Sequence, residues 1–206
     1  RNIDENLNRV MTVHDNPRSY EQKLANEICP LIREHRFTLD LHSTHCVGDV
    51  PFAFCDYPDV YNQKLIDALP VDFVLEGWPD IYGRQTEIRD FSTEWCAHAY
   101  GNTATTLECG YHRDPQAAGL AYRAIVNALS AFGMVDLPLP AARAKKHIRM
   151  ENYVLKSKEG RLCRSYKHLD PVCKGERIAL YDDGEALYAL SDGFILLPNL
   201  QAPVNT

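Results

Sequence analysis

The six residues FTLDLH at 37–42 decide how this 206-residue sequence is read. Phe37, Leu39 and Leu41 alternate with Thr38, Asp40 and His42, and a period of two is that of a strand with one apolar and one polar face. Upstream, SYEQKLANEICPLIREH at 19–35 has Ser19 and Gln22 at capping-box spacing and Leu24, Ile28, Leu31 and Ile32 at helical period. An amphipathic helix is expected there, kinked or shortened in its last turns by Pro30. Downstream, VDFVLE at 71–76 and ATTLECG at 104–110 are further strands. QAAGLAYRAIVNALSAFG at 116–133 is a second helix, with Pro115 at its start and Gly133 past its end. Strands alternating with helices imply an α/β domain built on a largely parallel sheet.

The sequence changes character over VDLPLPAARAKK at 135–146, where Pro138 and Pro140, the loss of helical period and a short basic run coincide. The expected boundary puts a catalytic-sized domain at 1–140 and a small β-rich domain at 141–206. In the latter, HIRMENYVLKS, RIALYDDGEALYAL and DGFILLP are short strand-like runs separated by Gly and Asp turns.

A hydrophobic content of 45% is enough for one full core and a small second one, so disorder is set aside. With 22 Lys+Arg against 28 Asp+Glu there is no surplus positive charge to hold a polyanion, which argues against nucleic acid as a partner. No apolar run approaches the roughly 20 residues that span a bilayer, and RNIDENLNRV at the start holds no apolar signal core. The seven cysteines are an odd, scattered set without a CxxC pair, as expected of structural thiols in a reducing compartment. These features predict a soluble cytoplasmic protein, with self-association into a homo-oligomer left open.

Three segments carry candidate chemistry. Asp40 and His42 lie two apart, so on a strand they share a face, and the carboxylate can fix the imidazole tautomer. Strand ends are where ligands collect in α/β domains, although a lone strand histidine is more often structural. His45 is read as pocket lining, and His112 and Arg113 as loop surface. Glu108 stands in an otherwise apolar and small-residue strand, and a charged partner or a catalytic role would each account for it. Arg1, Asn8 and Arg9 offer donors suited to an acidic substrate, or form a polar loop.

Taken in order, RNIDENLNR, LDLHSTH, TTLECG and a β-rich tail ending DGFILLP resemble the succinylglutamate desuccinylase/aspartoacylase family, relatives of the zinc carboxypeptidases, over nearly the whole chain. The resemblance implies an α/β/α carboxypeptidase-like domain followed by a β-rich one, a Zn2+ cofactor, and hydrolysis of the amide bond of an N-acyl amino acid. It makes His42 a zinc ligand with Asp40 beside it and Glu108 the catalytic base and acid. Arg1, Asn8 and Arg9 fall in the substrate site, Arg1 facing the oxyanion and Asn8 and Arg9 a substrate carboxylate. The family's other two zinc ligands come from a His-x-x-Glu motif upstream of that arginine, and no such motif occurs in these 206 residues. Family members also continue past the DGFILLP region. The tyrosine and arginine with which some relatives grip substrate have four candidates here: Tyr82, Arg84, Arg89 and Tyr100. Two rivals stand beside this reading. One is a non-catalytic relative that binds a small acidic ligand; the other is a metal-free hydrolase using Ser43 or a cysteine, which lacks a G-x-S-x-G elbow.

Overall fold

The computed structural model describes residues 2–85, 91–141, 143–198 and 204, with backbone alone at 84 and 85. The chain divides into two compact units, Arg1–His45 with Pro51–Tyr153, and Cys46–Val50 with Val154–Thr206.

The first unit opens with a short 3-10 turn at Leu7–Arg9 and helix α1 at Tyr20–Glu34. Ser19 caps α1 by accepting from the Gln22 N–H at 3.0 Å, while the Gln22 side chain turns to the Arg18 N–H at 2.9 Å. The helix continues past Pro30 to Glu34. Its last carbonyls are held from outside, since Asn102 Nδ2 donates to those of Ile32 and Arg33 at 3.0 and 2.9 Å.

Strand β1 (Phe37–Thr44) is followed by β2 (Phe52–Phe54), α2 (Val60–Ala68), β3 (Phe73–Glu76), α3 (Trp78–Gln85) and α4 (Thr93–Ala99). Then come β4 (Thr103–Tyr111), α5 (Pro115–Ala131) and β5 (Lys146–Arg149). The strands form one sheet in the order β1-β4-β2-β3-β5. It is mostly parallel, as the sequence implied: β1 with β4, β2 with β3 and β3 with β5 run parallel, and β2 with β4 antiparallel.

Helices cover both faces. Leu107 and Cys109 of β4 meet Ile66 of α2 and Leu120 and Ala124 of α5 in one cluster. Ala104 of β4 meets Ala25, Cys29 and Ile32 of α1 and Cys96 and Ala97 of α4 in the other. Leu107 and Ile66 have no exposed surface, and burial of each such side chain stabilises the fold by roughly 1.5–3 kcal/mol.

The two central strands part early. β2 and β4 pair only through Phe52↔Glu108 and Ala53↔Leu107, and buried side chains take over beyond. Asn62 donates to the Ala104 carbonyl at 2.8 Å and to Thr105 Oγ1 at 3.1 Å. Thr105 Oγ1 in turn donates to the Phe54 carbonyl at 2.9 Å. From the other face, Glu94 accepts from the Thr106 N–H at 2.8 Å and the Asp56 N–H at 3.3 Å. Four backbone groups at the gap, the Ala104 and Phe54 carbonyls and the Thr106 and Asp56 N–H groups, thereby find the partners that burial demands.

The expected boundary after residue 140 falls inside the first unit, which extends to Tyr153. The reason is β5: Lys146–Arg149 add to β3 in parallel register, and Met150 N–H donates to the Glu76 carbonyl at 2.8 Å. The proline-rich segment is therefore a connection leading to that edge strand.

In the second unit β6 (Gly160–Leu162), β8 (Arg177–Tyr181) and β9 (Ala186–Tyr188) form an antiparallel sheet, and β7 (Asp170–Val172) pairs with β10 (Gly193–Ile195). No helix occurs there among the described residues. Tyr166, Val172 and Ile178 centre its small core. Gly160 permits the β6–β8 approach, because a Cβ there would lie 2.6 Å from the Leu180 carbonyl oxygen. No helix among the described residues is long and apolar enough to cross a membrane.

Candidate functional site

Parallel pairing of β1 with β4 puts His42 beside Glu108 and Asp40 beside Thr106 near the carboxyl ends of both strands. Alternation along β1 turns Asp40 and His42 to the same face. The imidazole sits between two carboxylates, with Nε2 3.1 Å from Asp40 Oδ2 and Nδ1 3.6 Å from Glu108 Oε1. The first separation is a hydrogen bond; the second is an electrostatic contact. The hydrogen bond to Asp40 and then the contact with Glu108 outweigh burial and raise the His42 pKa to about 10. Burial pushes the Asp40 carboxyl up, but hydrogen bonds from His42 and Thr93 and the imidazolium charge bring it below its ordinary value.

Glu108 is only 13% exposed, and its Oε2 is buried with no hydrogen-bond partner among the described residues. Buried carboxylate oxygens are rarely left so, and an atom of this kind points to a group that arrives with substrate or cofactor.

An imidazole held at Nε2 by a carboxylate can bind a metal through its other nitrogen, the arrangement that orients histidine ligands, once that nitrogen, which here faces Glu108 at 3.6 Å, gives up its proton. Among the described residues, however, no group of three or more His, Cys, Asp or Glu side chains converges to hold a metal ion. His42 could supply one ligand, with Asp40 as its outer support, which is fewer than the three protein ligands of a catalytic zinc site.

A cavity of about 820 Å³ opens along β1, the outer strand of the sheet. Leu41, His42 and Ser43 of β1 line it, with Glu21 and Leu24 of α1, Ala117 and Ala118 of α5, and Asn2, Asn6 and Asn8 of the first segment. Glu21, buried in α1, shapes that segment by accepting from the N–H groups of Ile3, Asp4 and Glu5 at 2.6, 3.1 and 3.2 Å. Burial raises the Glu21 carboxyl, but these three bonds bring it below its ordinary value. On the sequence Glu21 reads as a first-turn surface residue, and nothing local marks it as a latch.

Of the expected substrate residues, Asn8 lines the cavity and Arg1 lies outside the described residues. Arg9 donates from Nη1 to the Asn8 carbonyl at 2.7 Å and from Nη2 to the Tyr82 hydroxyl at 2.8 Å, with the guanidinium 4.9 Å from that ring's centre. The structure thus brings Tyr82, one of four candidates, to Arg9. Tyr100 is exposed, near Arg33. The Arg84 side chain and Arg89 lie outside the described residues. His112, read from the sequence as loop surface, lines the cavity and lies 3.0 Å from the Thr44 carbonyl through Nδ1, and its ring meets that of His45 edge-on at 5.4 Å.

The seven cysteines are free. Cys109 borders the cavity, and burial pushes its thiol up to about 11, so it holds little nucleophilic thiolate at neutral pH.

No family model and no curated protein matches the sequence. Solved structures do match the fold. Succinylglutamate desuccinylase from Vibrio parahaemolyticus superposes with a TM-score of 0.72 at 16% identity, over 98% of this chain and 63% of that one. The product-bound ectoine utilization protein EutE (DoeB) from Ruegeria pomeroyi gives 0.70 at 17% identity, over 93% and 61%. Succinylglutamate desuccinylase from Vibrio cholerae gives 0.70 at 20% identity, over 98% and 62%. The chain therefore spans about three-fifths of the length of these neighbours. At such identities the likeness is one of architecture, and the chain has the fold of the succinylglutamate desuccinylase/aspartoacylase structures.

Proposed function

We propose that this protein hydrolyses the amide bond of an N-acyl amino acid or a similar small acidic amide with the help of zinc, as a cytoplasmic enzyme acting on a small molecule. The observation that carries this reading is the His42–Glu108 pair. An imidazole braced by Asp40 stands beside a carboxylate whose second oxygen is buried without a partner among the described residues.

In this reading His42 is one zinc ligand, and the remaining protein ligands lie outside the described residues. Zinc, when bound, polarises the acyl carbonyl and lowers the pKa of water. Glu108 accepts the proton of the attacking water and delivers it to the leaving amine, work for which a buried carboxylate at the end of a strand is well placed. Asp40 fixes the imidazole orientation through Nε2. Asn8 and Arg9 hold a substrate carboxylate, Arg9 being steered by its bond to Tyr82. Arg1 has the charge to stabilise the oxyanion.

Zinc analysis combined with turnover tests this. The protein is assayed on N-succinyl and N-acetyl derivatives of glutamate and aspartate before chelation, after it, and after zinc is returned. Activity should follow zinc, and His42→Ala should lose both. Chelator-resistant turnover, or His42→Ala with full zinc and full activity, would contradict the assignment. One observation favours a second reading, a non-catalytic binder of small acidic ligands: the described residues do not complete a metal site. Binding of N-acyl glutamate without hydrolysis by the zinc-treated protein would select it.

A further inference from the structure

Helix α4 has seven residues, and its first turn reaches both strands of the site. Thr93 is the hydrogen-bonding neighbour that helps hold the Asp40 carboxyl below its ordinary value, and Asp40 in turn lies 3.1 Å from His42 Nε2. The next residue, Glu94, accepts from the Thr106 N–H at 2.8 Å and from the Asp56 N–H at 3.3 Å. Both side chains are buried, 6% and 3% exposed. Thr106 is the register partner of Asp40 and precedes Glu108 by two residues, so it lies on the same face of β4. Two consecutive residues of one helical turn thus anchor the half of the site that carries His42 and the half that carries Glu108.

The choice of a carboxyl at 94 is costly. Burial and the neighbouring Asp56 charge push its acid up to about 8, and a buried acid next to another acid persists where its geometry is needed. What it supplies is an acceptor for a β4 amide at the point where the ladder to β2 has ended.

We propose that Thr93 and Glu94 are positioning residues for the reaction, fixing the separation of His42 and Glu108 without touching substrate. The inference rests on the hydrolase reading. It predicts a loss in kcat rather than in KM, because the binding residues Asn8 and Arg9 lie on another segment.

The test compares paired substitutions in the zinc-loaded protein. Thr93→Val removes one hydroxyl at nearly constant volume and Thr93→Ser keeps it; Glu94→Leu removes the acceptor for Thr106 and Glu94→Gln keeps one. Thr93→Val and Glu94→Leu should lower kcat by about 10–100-fold, the usual cost of losing an outer support, with KM changed by less than about twofold. Thr93→Ser and Glu94→Gln should hold kcat within about threefold. A fall in Tm with kcat per folded molecule unchanged would make both residues merely structural and overturn the proposal. Thr93→Val carries the test where Glu94→Leu fails to fold. Hydrogen exchange at the Thr106 amide needs no turnover and separates this inference from the hydrolase reading. Exchange that is slow in wild type and Glu94→Gln and fast in Glu94→Leu supports the anchor even if no amide is cleaved. Unchanged exchange in Glu94→Leu overturns it.

Discussion

Glu94 and Glu108 are two carboxyls set against the same strand, and their surroundings differ in kind. Both oxygens of Glu94 accept backbone N–H groups, whereas Oε2 of Glu108 is buried and accepts none among the described residues. The region around Glu94, where β2 and β4 part, is closed by its own side chains. The region around Glu108, where β1 and β4 end, is left one hydrogen bond short. Satisfied buried polar groups hold a structure together, and an unsatisfied one marks where something else has to arrive. The gap thus has the character of support and the strand ends are where the proposed chemistry would sit, and each half can be broken separately.

The largest stability effect belongs to the gap. Asn62 has no exposed surface, accepts from Cys55 Sγ at 2.7 Å, and donates to Ala104 and Thr105. Asn62→Ala strands those groups in the core and should cost roughly 2–4 kcal/mol, read as a lower denaturant midpoint. A change of only a few tenths would mean that water replaces Asn62 there.

A smaller effect, confined to binding, is expected at Arg9. Arg9→Lys keeps the charge but loses the fork that bonds the Asn8 carbonyl and the Tyr82 hydroxyl together. KM for an acidic amide should rise by about threefold to tenfold with kcat held. Equal binding of acidic and neutral amides before and after the change would make Arg9 structural.

The smallest effect is a slope. Glu94 binds its proton more tightly folded than unfolded, its pKa being raised from 4.5 to about 8. Its contribution to stability is therefore complete below pH 4.5 and is lost as pH rises towards about 8. Glu94→Gln carries no titrating proton, so the difference in Tm between wild type and Glu94→Gln should move in favour of the variant across that range. A difference independent of pH would show that Glu94 titrates alike in both states.

The parts of the molecule that were legible in the sequence share one property: their signal is local. FTLDLH alternates, Leu24, Ile28 and Ile32 recur at helical spacing, and Asp40 and His42 fall on one face by a spacing of two. Those patterns gave β1, α1, β4 and α5 and put Asp40 and His42 on one face. Strand β2 has three residues and α4 seven, too short for periodicity to build up. Glu21, Asn62 and Glu94 look like surface polar residues in any local window. Their distant partners lie 16–18, 42–43 and 12–38 positions away, and only the completed fold shows which groups need them. The compositional change at 135–146 was real, but it marks a connection to β5, a strand whose place is set by pairing with β3.

The most direct test of the central claim is the turnover of Glu108→Gln in zinc-loaded protein, with metal content measured on the same sample. The amide keeps the shape of the side chain and cannot accept the water's proton. If Glu108 carries that proton, kcat falls by at least about a hundredfold while zinc and fold are retained. Near-normal kcat with zinc retained would remove Glu108 from the mechanism and contradict the account.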